Sequence, residues 1–283
     1  MKILVTGGAG KLGALVVEAL VQRGHHVHVF DLPHVDFSPV NTLPHVHVFK
    51  GTIVDRDHVT AACDGVDEAV HLAAILPPYS ERDAETTLQV NVTGTRNVVQ
   101  ALEDTSAAPL VLSSSVSVYG STQDEDPPIT TKHPVTATDI YAQSKILAEE
   151  AVQGSSLRYT ILRISGIYAA VPFEFPSPVQ FRAAQRVEFV AREDVVTALV
   201  AAAEDTSQGN TILNIAGGRS WQMTGEHFVG DVFAAFGVDG AVDYLPDDGY
   251  FDWYDTHASQ RCLRYQQTSF VRFTKKLSTL FNT

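Results

Sequence analysis

Short apolar runs alternate with amphipathic stretches from the first residues of this chain. The runs "KILVTG" (2–7), "HHVHVFD" (25–31), "HVHVFKGTI" (45–53), "EAVHLAA" (68–74), "PLVLSSS" (109–115) and "RYTILRI" (158–164) have the length and β-branched content of strands. Residues 11–23, 55–63, 84–104 and 139–153 carry apolar positions at helical spacing between them. Strand and helix repeated this often predict an α/β protein, a Rossmann-type doubly wound parallel sheet covered by helices on both faces. Two proline-rich loops interrupt the pattern, "DEDPPITTKHP" (124–134) and "VPFEFPSPV" (171–179), the second with exposed aromatics. Past about residue 217 the alternation fades. The expected organisation is therefore a dinucleotide-binding domain over 1–168, with 189–216 returning to it. A small substrate-binding lobe is expected from 169–188 and 217–283. Residues 270–281 read as a terminal amphipathic helix that packs on the body and offers a homodimer contact.

Composition removes several function classes. The 283 residues carry 20 basic and 33 acidic side chains, a net charge of −13 that repels nucleic acid and anionic lipid. No apolar run approaches the roughly 20 residues of a membrane helix. The apolar part of "MKILVTGGAG" is too short for a secretory signal, so a cytoplasmic location is the default expectation. Cys63 and Cys262 have no metal or disulfide spacing.

The first chemistry-bearing segment is "TGGAGKLG", with Gly7, Gly10 and Gly13 at three-residue spacing between the first strand and the first helix. Glycine is required where the strand turns sharply, the backbone approaches a pyrophosphate and the helix packs on the sheet. The helix N-terminus then meets phosphate with free N–H groups and partial positive charge. The second strand ends in Asp31, whose carboxylate suits the two hydroxyls of an adenine ribose and repels a 2′-phosphate. The cofactor expected is NAD rather than NADP.

The second segment is "YAQSK". If 139–153 is helical, Tyr141 and Lys145 lie on one face a single turn apart. The run "SSSVSVYG" (113–120) ends the fifth strand at the carboxyl edge, where doubly wound folds place ligands. A serine hydroxyl would hold a substrate oxygen there. A phenol whose pKa the lysine lowers would exchange a proton with that oxygen near neutral pH, while hydride passes to or from the nicotinamide.

With "HLAA" (71–74), "NVTGT" (91–95), "LRISGIY" (162–168), "FVAREDVV" (189–196) and "NIAGG" (214–218) in the same order, the chain resembles the extended short-chain dehydrogenase/reductase superfamily. Within it, the match is to the NAD-dependent epimerase/dehydratase family. The resemblance implies catalysis by Tyr141, Lys145 and Ser115, the serine chosen from 113–115 by the family pattern, with Tyr141 and Lys145 also touching cofactor. It implies further cofactor contacts from Gly7, Gly10, Lys11, Leu12 and Gly13, from Asp31, from Leu72, Ala73 and Ala74, and from Asn91. No metal is implied.

Departures from the family narrow the expected substrate. Val116 and Ser117 stand where dehydratases carry an Asp-Glu pair. Val187 stands where sugar-nucleotide enzymes place an arginine, with Arg186 displaced by one, and the acidic "PDDGY" (246–250) replaces a second arginine site. Thr52 stands where an aspartate often meets adenine. A small substrate without a nucleotide diphosphate is expected, under an apolar lid of Phe173, Phe175 and Phe181. Oxidation or reduction and epimerisation both remain open, as does nucleotide-sugar 4-epimerisation. A non-catalytic NAD-binding sensor is the reading from a different class, and the intact serine, tyrosine and lysine argue against it. His26, His28, His45 and His47 form two His-x-His pairs without accompanying carboxylates or thiols. His71 reads as structural, and Arg163 as a donor to buried backbone. The aromatic group Tyr250, Phe251, Trp253 and Tyr254 is open to either lobe core or pocket wall.

Overall fold

The structure, a computed structural model, describes residues 1–171, 177–205, 209–238 and 240–281. Its first half runs β1 (Lys2–Thr6), α1 (Gly13–Gln22), β2 (His26–Asp31), α2 (Ser38–Asn41), β3 (Val46–Lys50), α3 (Arg56–Cys63) and β4 (Glu68–His71). Next come α4 (Ala84–Leu88), α5 (Gly94–Asp104), β5 (Leu110–Ser115), α6 (Ile140–Gln153) and β6 (Tyr159–Ile164). The remainder comprises β7 (Ile167–Tyr168), β8 (Arg186–Glu188), β9 (Val190–Ala191), α7 (Arg192–Glu204), β10 (Thr211–Ile215) and β11 (Gln222–Thr224). It closes with α8 (Gly225–Phe236), α9 (His257–Leu263) and α10 (Phe270–Phe281).

Seven strands form one parallel sheet in the order β10-β6-β5-β4-β1-β2-β3. The order reverses at β1, and the crevice at that reversal is where such sheets bind ligands. Successive side chains of a strand serve opposite faces. Ile3 and Val5 therefore join the apolar layer with α1 and α7, while Leu4 joins the layer with α3, α5 and α6. The register brings Thr6, Asp31, His71 and Ser115 to one carboxyl edge.

Short polar residues start the helices. Asp55 caps α3 by accepting from the Asp57 and His58 N–H groups, and Asp139 caps α6 by accepting from Ala142 N–H at 2.7 Å. The single helix expected over 84–104 is interrupted by a π-helical turn at Gln89–Thr93. Side-chain hydrogen bonds accompany it: the Asn91 amide both accepts from and donates to the backbone of Ile75, and Thr95 Oγ1 donates to the Asn91 carbonyl at 2.6 Å, competing for that helix acceptor.

A third apolar cluster lies apart from the sheet and unites Phe181, Phe189, Trp221, Phe228, Phe270 and Phe273. Here the region past residue 217 proves more regular than its composition predicts. Helix α8 is capped by Thr224 and stopped by Gly237 in the left-handed region. Helix α10 forms as expected and lays its apolar face on α8 within the same chain. Phe181 is 2% exposed and belongs to this cluster, so it is core and not lid. Phe173 and Phe175 lie outside the described residues.

Glu188, fully buried, joins three segments. Its carboxylate accepts from Gly218 N–H at 2.8 Å, Gln222 Nε2 at 2.9 Å and Tyr254 N–H at 2.9 Å. The histidine rings pair at a tilt, His26 with His45 just before β3 and His28 with His47 within it, and His28 Nδ1 donates to the Ala62 carbonyl. Among the described residues no group of three or more histidine, cysteine or acidic side chains converges to hold a metal, and no helix is long and apolar enough to cross a membrane.

Candidate active site

A cleft of about 890 Å³ opens at the carboxyl edge of the sheet. Its first end is built by the glycine turn. Gly7 has φ +69° and donates its N–H to the Phe30 carbonyl at 2.8 Å, and a Cβ there would fall 2.9 Å from Ala73 N. A Cβ on Gly13 would lie 2.1 Å from the Gly7 carbonyl oxygen, so no larger residue permits this approach of helix to strand. Helix α1 has no side-chain N-cap; Ala14 N–H donates to the Gly10 carbonyl at 2.9 Å, and the positive end of the helix faces the cleft where an anion would lie. Asp31 is fixed at the lip, with Oδ2 accepting from Ala9 N–H at 3.0 Å and Oδ1 from Leu32 N–H at 2.8 Å. Gly10, Lys11, Leu12, Leu72, Ala73, Ala74 and Thr52 also line this part of the cleft.

Asn91 does not line the cleft. It is buried behind the wall, where Oδ1 accepts from Ile75 N–H at 2.7 Å and Nδ2 donates to the Ile75 carbonyl and Ser144 Oγ. Its amide is consumed in fixing the Ile75 backbone against α6, so it shapes the wall.

At the other end, α6 presents Tyr141, Lys145 and Glu149 at successive turns. The run of three serines divides its duties. Ser113 gives its carbonyl to Lys145 Nζ at 2.8 Å, Ser114 Oγ donates to Glu149 at 2.5 Å, and Ser115 Oγ accepts from Ser117 N–H at 3.1 Å where it lines the cleft beside Tyr141. The structure thus brings Ser115, Tyr141 and Lys145 together. The Lys145 ammonium stands 5.7 Å from the Tyr141 ring centre.

One electrostatic expectation is corrected. Lysine was expected to draw the phenol towards neutrality, yet burial, with the neighbouring Tyr250 adding to it, pushes the Tyr141 hydroxyl well above the ordinary tyrosine value. Burial also pulls Lys145 down to about 8, against the opposing pull of Glu149. In the free protein Tyr141 is a protonated phenol and hydrogen-bond donor, and desolvation outweighs the charge one turn away.

Glu149 is held by Arg163, whose Nε and Nη2 donate to it at 3.0 and 2.7 Å in a pair with both side chains almost fully buried. Arg163 also stacks 4.9 Å over the Tyr119 ring, and only its Nη1 reaches backbone, at Thr131. The donor to backbone read from the sequence is mainly an ion-pair partner. His71 lies between Thr6 Oγ1 at 2.6 Å and Thr95 Oγ1 at 2.9 Å, and burial pulls it down to about 3. It is a neutral structural link below the cleft floor.

Beyond the catalytic end, Ile75, Leu76, Pro77, Ile164, Ile167 and Tyr250 make the wall. Sequence reasoning passed over 75–77, although the apolar run "HLAAIL" continuing past the strand end is a visible signal. The cleft's lining contains two cations among the described residues, Lys11 and Lys145. Arg182 is clamped by Asp248 at 2.8 and 2.9 Å, and Arg186 by Asp252 at 2.7 and 2.9 Å.

Residues 3–181 match the profile of the NAD dependent epimerase/dehydratase family. The chain belongs to this family. The family's cofactor is NAD, and the glycine cradle, uncapped helix start and Asp31 fit it. Among curated relatives of this family member, the human sterol-4-alpha-carboxylate 3-dehydrogenase (decarboxylating) is 31% identical over 245 residues, 78% of this chain and 61% of that protein. A 3-beta-hydroxysteroid dehydrogenase of Mycolicibacterium neoaurum is 34% identical over 182 residues, 59% of this chain and 48% of that protein. The chain therefore spans less than two thirds of the length of these relatives. Among solved structures, a UDP-glucose 4-epimerase from Thermotoga maritima with UDP-glucose superposes with a TM-score of 0.84 at 21% identity, over 100% of this chain and 98% of that one. A dTDP-glucose 4,6-dehydratase from Streptomyces venezuelae gives 0.83 at 24%, over 100% and 97%. These similarities establish the family fold across the whole chain.

Proposed function

We propose that this protein is an NAD-dependent oxidoreductase acting at a secondary alcohol or ketone of a small, largely apolar ring compound that carries no nucleotide diphosphate. The observation that carries this reading is the state of the arginines. Recognition of a diphosphate calls for fixed cations making charge-assisted, bidentate contacts. Arg186, one residue from the first position that would supply such a cation, and Arg182 are each committed bidentately to a lobe carboxylate. The wall at 75–77, 164 and 167 is apolar instead. The named activities of the sterol and steroid dehydrogenase relatives agree with a ring alcohol.

In this reading NAD, when bound, supplies the hydride acceptor or donor. Tyr141 exchanges a proton at the substrate oxygen, and Ser115 holds that oxygen. The Lys145 ammonium, still cationic at neutral pH, offsets negative charge growing on the Tyr141 oxygen. The apolar wall excludes water during transfer.

Isothermal titration of the NAD-loaded protein with UDP and UDP-sugars tests the reading. No binding at micromolar concentration is expected, whereas micromolar binding restores nucleotide-sugar epimerisation. A second expectation concerns the lip of the cofactor end. Asp31 faces a 2′-phosphate charge to charge, so NAD binds more tightly than NADP, and Asp31→Ala narrows the gap. Equal affinity of the unaltered protein for both cofactors, measured by fluorescence titration, would contradict it.

A further inference from the structure

Among the described residues, one side chain beyond Ile167 lines the cleft, that of Tyr250. The fold fixes its backbone from several sides. Gln185, fully buried, donates through Nε2 to the Gly249 and Phe251 carbonyls at 3.0 and 2.9 Å and accepts from Gly249 N–H at 3.0 Å. Tyr254 Oη donates to the Tyr250 carbonyl and accepts from Asp252 N–H, both at 3.1 Å. Asp252 is in turn anchored by Arg186 and by Thr122 Oγ1 at 2.7 Å. The Tyr250 ring packs on Phe251 with centres 4.4 Å apart.

The hydroxyl at the end of this ring has no hydrogen-bond partner among the described residues. Burial pushes it up to about 12, so it is a neutral phenol able to donate. It stands close enough to Tyr141 to raise that phenol, yet the two share no hydrogen bond. Ser115 and Tyr141 line the cleft from the β5–α6 side, and Tyr250 lines the same cleft from the 249–254 segment. A phenol left unpaired when substrate displaces water is costly, so the site rejects molecules that offer it nothing.

Resting on the function proposed above, we propose that Tyr250 is a specificity-determining residue. Its hydroxyl hydrogen-bonds a second oxygen on the ring carbon next to the one that exchanges hydride, and the site favours vicinally dioxygenated ring substrates.

The test compares Tyr250→Phe with the unaltered holoenzyme on trans-1,2-cyclohexanediol and cyclohexanol. Phenylalanine keeps the packing on Phe251, and unchanged circular dichroism and NAD affinity verify the fold. Expected is about a tenfold fall in kcat/KM on the diol, carried by KM, with less than about a twofold change on cyclohexanol. Equal effects on both alcohols, or none on either, overturn the proposal. If the unaltered enzyme oxidises neither, the small-ring reading falls. Tyr250 is then tested by titrating the NAD-loaded protein with UDP-glucose, whose C4 adjoins the hydroxyl-bearing C3. About tenfold weaker binding by Tyr250→Phe supports the proposal. Unchanged binding, or no binding by the unaltered protein, overturns it.

Discussion

Tyr141→Phe keeps NAD affinity and loses about 10²–10⁴-fold in turnover, the usual contribution of a positioned general acid–base. The substitution removes one oxygen and leaves the ring in its place beside Lys145, 5.7 Å from the ammonium. Neither neighbour can substitute. Ser115 Oγ is an acceptor for Ser117 N–H, and the Lys145 ammonium is directed at the Ser113 carbonyl. His71 is locked between two threonines and held neutral. Stopped-flow absorbance of NADH on mixing with substrate measures the effect, and near-normal rates would assign the proton to another group.

Arg163→Leu costs about 3–5 kcal/mol of stability, because it leaves the Glu149 carboxylate buried without its cation. Both side chains are almost fully buried, so solvent offers little compensation. The double variant Arg163→Leu, Glu149→Leu recovers much of the loss, since a buried ion pair replaced by apolar groups is often close to neutral. Urea midpoints of the three proteins decide it. A single-variant cost below about 1 kcal/mol would mean that the pair behaves as a surface salt bridge. The Arg163→Leu variant also loses the stacking on Tyr119.

The sheet and the cofactor end were legible because their causes are local. Strands buried on both faces read as apolar runs, as in the Ile-Leu-Val of β1 and the Leu-Val-Leu that opens β5. The glycine turn declares itself through positions such as Gly13 that tolerate no Cβ. What stayed hidden depends on contacts between distant segments. Phe181 lies in a loop whose sequence resembles a lid, and only the arrival of Phe189, Phe228 and Phe251 makes it core. The spacing of Tyr141 and Lys145 gave their adjacency but not the degree of burial, and burial is what sets the phenol's pKa. Asn91 carried a family motif, yet its use is decided by Ile75, which the sequence shows only as one more apolar residue.

Glu188 bears on how molecules enter and leave. Swinging the segments around Gly218, Gln222 and Tyr254 away from β8 would strand a fully buried carboxylate without its three donors. Burial pushes Glu188 up to about 7, and leaving a buried polar group without its partners costs about 1–3 kcal/mol, which disfavours such a hinge motion. Leu76 and Ile167, exposed where they line the cleft, are then the side chains whose rearrangement opens a way in without separating large bodies, and enlarging either is expected to slow exchange of bound NADH measured by stopped-flow fluorescence.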